Sequence, residues 1–398
     1  MILSLLQFLL VLLCCVAMTY AVVATFAMPF FDRRAGRQPS GRACISVLKP
    51  LCGSEPRLYE NLATFCEQAH PCFQLIFGVS SPNDPAIPVV RRLQSNYPRS
   101  DIELVIDPRV HGSNLKVSNL INMAERARYG VVVLADSDIA VETDYLERVT
   151  APLADPDVGV VTCLYRAQSV GGFWPRIGAL FINEWFAPSV RVAHSTGSRR
   201  FGFGATLALR RTTLDEIGGF AALRDCLADD YWLAEHARAL GLNTVLSSVM
   251  VSTDVIEPDF ATLWQREMRW LRTIRSLNPS GFAGLGVTFT SPWLLAGMLL
   301  AHWLSLAGNG PHPFTGYCLA VSMVAGAAAR TLLHARSARY SRTFWRDLPL
   351  VPLRDTLLAL QWLSAAFGSH VVWRGARMPV GNHVARPHNT FLDFSDDR

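Results

Sequence analysis

Asp136-Ser137-Asp138 closes a short apolar run, Val131-Val132-Val133-Leu134-Ala135, that follows Gly130. A β-branched run bounded by a glycine and a carboxylate pair reads as a buried strand whose carboxyl end emerges at the rim of a sheet, where open α/β sheets place their ligands. Two carboxylates one residue apart can turn toward one cation there. Mg²⁺ and Mn²⁺ favour such hard oxygen ligands while also holding a diphosphate. Alone, so short a pattern is more often a solvated acidic turn, and its neighbours decide.

Three further groups keep it company. Ser81-Pro82-Asn83-Asp84-Pro85-Ala86 follows an expected strand and puts Asp84 at the same carboxyl rim, near a helix start where an acid also serves as a plain cap. Asp229-Asp230-Tyr231 opens a helix toward Leu240, again with capping as the bland alternative. Arg266-x-x-Arg269-Trp270 supplies fixed cations and an indole suited to a diphosphate. The arginines at 266, 269, 272 and 275 drift slowly round one helix face, so a solvated or membrane-surface stripe is the competing reading.

The elements that must position these groups alternate between short apolar strands and amphipathic helices, the signature of βαβ units and a mostly parallel, Rossmann-like sheet. The pattern predicts strands over 45–48, 74–79, 102–106, 131–135, 158–163, 205–210 and 244–251. It predicts helices over 57–68, 86–97, 115–128, 144–153, 230–240 and 263–274. No G-x-G-x-x-G follows the first strand, which argues against a dehydrogenase.

Composition places this domain on a membrane. Of 398 residues, 50% are hydrophobic and only 17% charged, more apolar than a soluble enzyme of this length. Residues 1–31 carry no charge and exceed the roughly 20 residues that cross about 30 Å of hydrocarbon. Arg33, Arg34, Arg37 and Arg42 follow that run rather than precede it, which predicts an uncleaved anchor and a cytoplasmic domain at an inner cell membrane. Between Arg275 and Arg330 no charged residue occurs, and two more spans are expected at 282–306 and 314–328. A last apolar stretch, 348–373, carries Arg354 and Asp355 and reads as spanning or partly interfacial. Four full spans would put Arg374 and Arg377 outside, against the charge rule, so the parity calls for one interfacial or re-entrant segment. The net charge of +5 is mild and the arginines flank apolar segments, so no nucleic-acid partner is expected. Nine scattered cysteines without a C-x-x-C pair give neither a disulfide framework nor a zinc site, and suit a reducing cytoplasm. The domain plan is therefore an anchor over 1–31, a catalytic domain over 40–280, membrane segments over 281–373 and a tail over 374–398.

The segments Ser46-Val47-Leu48-Lys49-Pro50-Leu51, Asn83-Asp84-Pro85-Ala86-Ile87, Lys116-Val117-Ser118-Asn119-Leu120, Asp136-Ser137-Asp138, Leu227-Ala228-Asp229-Asp230-Tyr231 and Arg266-x-x-Arg269-Trp270 occur in the order found in ceramide glucosyltransferases. The chain also resembles bacterial relatives that glycosylate hopanoid lipids. This resemblance, over roughly residues 44–280 and the membrane flanks, implies a GT-A nucleotide-diphospho-sugar transferase fold and inverting transfer from a UDP-sugar to a lipid hydroxyl. It implies that Asp84, Asp136 and Asp230 are the three aspartates of the family signature, and Arg266, Arg269 and Trp270 its last element. Asp136 and Asp138 are then the expected ligands of Mg²⁺ or Mn²⁺. Asp84, Asp136, Lys116, Arg266, Arg269 and Trp270 are expected at the nucleotide-sugar, and Asp230 is the expected base. Many ceramide enzymes have Asp-Ser-Gly at the second position, so Asp138 is a departure. With the Arg-rich, Lys-poor composition it tilts the expected acceptor toward a hopanoid-type lipid over ceramide.

Two other classes compete. A transporter predicts ionisable residues inside the spans, and 282–328 has none. A non-catalytic scaffold that binds nucleotide-sugar is disfavoured by intact acids at all three positions.

Overall fold

The computed structural model describes residues 2–33, 43–306, 313–339, 342–373 and 376–379. Most of the expected tail, together with Arg34, Arg37, Arg42 and Arg374, lies outside them.

Eight strands form one mixed sheet: β1 Ile45–Pro50, β2 Phe73–Val79, β3 Ile102–Ile106, β4 Val131–Leu134, β5 Ile139–Ala140, β6 Val158–Ser169, β7 Leu207–Arg210 and β8 Asn243–Val255. Their order is β3-β2-β1-β4-β7-β6-β8-β5. The first four are parallel, β7 runs against both β4 and β6, and β6 and β8 form a long parallel pair. Helices cover both faces, which is why β4 reads as an unbroken apolar run. Val131 and Val133 pack into one core with Ile45, Val47 and Phe77, while Val132 and Leu134 pack into the other with Leu48, Ile76 and Leu120.

The strand expectations hold with two extensions. β6 runs on to Ser169 and β8 to Val255, because polar residues beyond the apolar stretches continue the ladder. Helices Leu58–Cys66, Ala86–Asn96, Leu115–Ala124, Tyr145–Thr150, Asp229–Ala239 and Phe260–Leu277 lie where helices are expected. The pattern gives no warning of Phe173–Phe181 and Ala187–Ser195, which are joined by a π-helical turn over Ile182–Phe186 and are apolar on most sides.

Among the described residues two helices are long and apolar enough to cross a bilayer, with spans over Leu5–Ala27 and Pro313–Ala338; the pair Pro279–Thr288 and Thr290–Leu306, bent by 53°, is a third crossing if counted as one. Of the two readings of the stretch 348–373, spanning or partly interfacial, the spanning one does not hold. The stretch resolves into the helix Leu350–Ala365 and the strand His370–Trp373, which pairs with Ala376–Pro379. Sixteen residues make a helix of about 24 Å, short of the hydrocarbon thickness. Arg354 and Asp355 are buried in ion pairs with protein rather than lipid. With three crossings the parity conflict disappears, since Leu350–Ala365 then lies on the same side as the sheet domain that it packs against.

The cysteine expectation is corrected too: Cys44 and Cys72 form a disulfide. Ile45 pairs with Phe73 in the β1–β2 ladder, so strand register alone brings these two neighbours together, at the sheet end opposite the carboxyl rim. The other seven cysteines are free.

Candidate active site

The turn between β4 and β5 carries Asp136-Ser137-Asp138 to the carboxyl rim and is held from three sides. Below it, Lys49 of β1 is wholly buried and donates from Nζ to the carbonyl of Asp136 at 2.8 Å, with Nζ 3.7 Å from the centre of the Phe65 ring. Burial pushes this lysine down to about 7, although Asp138 and Asp136 favour its charge. Beside it, β5 pairs with Ser252 and Thr253 of β8, which lets the Thr253 hydroxyl donate to Asp138 Oδ2 at 2.6 Å. Ser137 donates to Glu55 at 3.2 Å from the loop after β1.

Asp136 and Asp230 meet through Gly204. The N–H of Asp136 donates to the Gly204 carbonyl at 3.1 Å, and the Gly204 N–H donates to Asp230 Oδ2 at 2.8 Å. A Cβ on Gly204 would lie 2.6 Å from Asp136 Oδ2 and 3.2 Å from Lys116 Nζ, so only glycine admits this close approach. Lys116 bridges Asp136 and the neighbour of Asp230, 2.7 Å from Asp136 Oδ1 and 3.3 Å from Asp229 Oδ2. Asn114 places it by capping the helix Leu115–Ala124, accepting from the Val117 N–H at 3.1 Å while donating to the Cys226 carbonyl at 2.8 Å. Burial opposes the charge on Lys116, but Asp136 and Asp229 outweigh it and hold the group above its ordinary range.

The acids feel one another. Burial, then Asp136 and Glu55, push the Asp138 carboxyl up to about 7. Asp230 is pushed up to about 6 by burial and then by Asp229, against the pull of Lys116. Its second oxygen accepts from the N–H of the next residue, Tyr231, at 2.8 Å; the cap position of this helix is Ala228, so the aspartate lies in the first turn and the capping alternative does not hold.

The arginine stripe divides its labour. Arg269 lies within the field of the acids: burial lowers its pKa, while Asp230, Asp136 and Asp229 favour its charge. Arg266 is instead held by both oxygens of Glu257 at 2.8 Å, and its guanidinium lies 5.7 Å from the Trp270 ring. Arg272 and Arg275 donate to the carbonyls of His370 and Ala365 at 2.6 and 2.7 Å. Trp270 belongs to an aromatic cluster with Phe181, Phe186 and Tyr165, at centroid separations of 5.6, 5.7 and 6.2 Å. Asp84 accepts from the N–H groups of Gly53 and Ala86 at 3.0 and 2.9 Å, fastening the loop after β1 to the helix after β2. The structure thus groups Lys116, Asp136, Asp138, Asp230 and Arg269, sets Arg266 and Trp270 on the helix of Arg269, and engages Asp84 with Gly53 and Ala86 instead.

The sequence profile of glycosyl transferase family 21 matches residues 9–385, nearly the whole chain. The chain belongs to glycosyl transferase family 21. Ceramide glucosyltransferase 1 of Caenorhabditis elegans is 26% identical over 236 residues, 59% of this chain and 50% of that protein. A ceramide glucosyltransferase of Komagataella phaffii is 31% identical over 108 residues, 26% of this chain and 21% of that one. The chain spans about half the length of the C. elegans relative that it matches. Among solved structures, a mannosyltransferase from Pyrobaculum calidifontis in complex with GDP-Man and Mn²⁺ superposes with a TM-score of 0.53 at 17% identity, covering 91% of this chain and 97% of that one. That likeness extends over the sheet domain and the membrane helices, and the fold is the GT-A α/β fold.

For a family 21 chain, sequence reasoning missed four supports of the site: Lys49, Glu55, Gly204 and Thr253. A signal existed for Lys49, since a lysine inside an apolar strand is costly to bury unless acids or carbonyls meet it. Gly204 and Thr253 carry no local signal, because Gly204 meets Asp230 across 26 residues and Thr253 meets Asp138 across 115.

Proposed function

We propose that this family 21 protein transfers glucose from UDP-glucose to the hydroxyl of a ceramide-type lipid, with inversion, on the cytoplasmic face of a membrane. The observation that carries the reading is the Asp136–Gly204–Asp230 link at the carboxyl rim of a GT-A sheet, with Arg269 within the field of the same acids. The ceramide acceptor and the glucose rest on the relatives, which are ceramide glucosyltransferases. No relative supports the hopanoid acceptor that Asp138 and composition favour.

The donor set suits a divalent cation. Asp136 and Asp138 are hard oxygen ligands, and the burial and neighbouring acids that push Asp138 up to about 7 are what such a charge would offset. A cation here would be held by these one or two carboxylates and completed by substrate phosphate. When bound, such an ion supplies Lewis-acid stabilisation of the departing diphosphate.

The protein's own groups do the rest. Arg269 places a fixed positive charge where the leaving diphosphate becomes more negative, a contact that strengthens toward the transition state. Lys116 holds Asp136 and Asp229 in place, and Lys49 supports the loop that carries Asp136 and Asp138. Inversion needs one in-line attack by an acceptor hydroxyl, whose proton passes to a carboxylate on the acceptor side. Asp230, held near 6 by its buried setting, is ionised at neutral pH and still basic enough to take that proton. Arg266 acts on Trp270 rather than on the donor, and Trp270 with Phe181, Phe186 and Tyr165 backs the helix that carries Arg269.

Comparison of lipid extracts by mass spectrometry, from cells with and without the gene, tests the reading. A hexosylated ceramide lost with the gene supports it; loss of a hexosylated polycyclic lipid instead would move the acceptor to the hopanoid class.

A further inference from the structure

The helix Phe260–Leu277 carries Arg269 on one side and Glu267 on nearly the opposite one, since two residues turn a helix by about 200°. Glu267 has no exposed surface. Its Oε2 accepts from Arg354 Nη1 and from Gln361 Nε2, both at 2.8 Å, while Arg354 Nη2 donates to Gln361 Oε1 at 2.6 Å. Arg354 and Gln361 come from Leu350–Ala365, the helix too short to span, and both are buried. The Arg354 guanidinium lies 5.1 Å from the Phe181 ring centre, and Phe181 packs on Trp270.

The opposite face of Leu350–Ala365 shows Leu353, Leu360 and Leu363, each about half exposed. The same helix is tied to the membrane-crossing elements, because Asp355 accepts from the Ser291 hydroxyl at 2.6 Å and from Arg330 Nη2 at 2.8 Å. Ser291 lies at the start of Thr290–Leu306 and Arg330 within Pro313–Ala338. A leucine row continuous with those helices lies where the bilayer begins.

A buried ion pair is often no more stabilising than apolar residues of the same volume, whereas it does fix a direction of approach. Resting on the reading of Arg269 as the diphosphate cation, we propose that Glu267, Arg354 and Gln361 are positioning residues that set the placement of Arg269 according to how Leu350–Ala365 is seated on the membrane. Donor binding is then strongest when the leucine face rests on lipid. The donor site is complete only in a membrane-seated molecule, which keeps it from turning over the sugar nucleotide away from its lipid acceptor.

The test measures UDP binding, in the presence of Mn²⁺, by the full chain in nanodiscs of phosphatidylcholine with one part in five phosphatidylglycerol. Two variants are compared: L353Q/L360Q/L363Q, which leaves every donor-site and clamp residue in place, and Gln361→Met, which removes one arm of the clamp without stranding a charge. Each should weaken UDP binding about five- to tenfold at an unchanged melting temperature, and the combination should fall short of the product of the two. Wild-type UDP affinity in the leucine variant, or fully multiplicative effects, would overturn the proposal. Absence of UDP binding by the unaltered protein would instead sink the donor reading itself, and the proposal with it.

Discussion

The main-chain N–H of Gly204 donates to Asp230 Oδ2 at 2.8 Å, while the carbonyl of the same residue accepts from Asp136. One residue between β6 and β7 therefore fixes the spacing of Asp136 and Asp230, the proposed donor-side acid and the proposed base. The proposed in-line transfer depends on that spacing.

Gly204→Ala should disturb it directly. The new methyl carbon would meet Asp136 Oδ2 at 2.6 Å, and the carboxylate must swing away from Lys116. A displacement on the order of 1 Å at a reacting constellation lowers turnover by about 10²-fold. Steady-state kinetics with a parallel thermal melt checks this; near-normal kcat/KM would mean that the Gly204 turn does not set the geometry.

Asp230→Asn removes the proposed base. Turnover should fall by about 10² to 10⁴. Both oxygens of Asp230 accept main-chain N–H groups, so one must face the new NH₂, and a stability cost of about 1–3 kcal/mol accompanies the change. The wild-type profile tests the base. Asp230 sits at about 6, so kcat should rise with pH through about 6 as the carboxylate ionises and then level off. Protein stability runs the other way, because a raised carboxyl constant favours the folded state most at low pH and loses that contribution as pH climbs through about 6. A rate profile flat between pH 5 and 8 would remove Asp230 as the base.

The cation should show its own pH dependence. Asp138 sits at about 7, so below that value protons compete for the ligand, and the Mn²⁺ concentration for half-maximal activity should fall as pH rises through about 7. Excess EDTA should abolish turnover and added Mn²⁺ restore it. Asp138→Asn should raise the Mn²⁺ requirement without unfolding the domain. Full activity in chelator would take the metal out of the mechanism.

Much of this architecture is legible in the sequence because it is written locally. The run Val131 to Leu134 is apolar at every position since both faces of β4 are covered, and three later apolar segments with arginine flanks expose the membrane plan. What stays hidden is what long-range pairing decides. Arg266 and Arg269 look equivalent in a three-residue stripe, yet Glu257 claims one and the other lies within the field of the acids. Leu350–Ala365 reads as a possible span because Arg354 and Asp355 have partners, Glu267 and Arg330, far away in sequence. Cys44 and Cys72 look scattered until β1 and β2 pair.

Orientation is tested by Cys52, an exposed free thiol in the loop after β1. A membrane-impermeant maleimide should label it in inverted membrane vesicles and leave it unmodified in intact cells. After denaturation, a reductant should release two further titratable thiols from the Cys44–Cys72 disulfide. Labelling of Cys52 from outside intact cells would reverse the topology and remove the cytoplasmic donor pool from the account.

The central claim is transfer from a sugar nucleotide to a lipid, and release of UDP by the purified protein in nanodiscs measures it most directly. With UDP-glucose and Mn²⁺, the account predicts UDP release that rises with added ceramide and matches the glucosylated lipid formed. UDP release indifferent to any lipid acceptor, or none from any UDP-sugar, would contradict it.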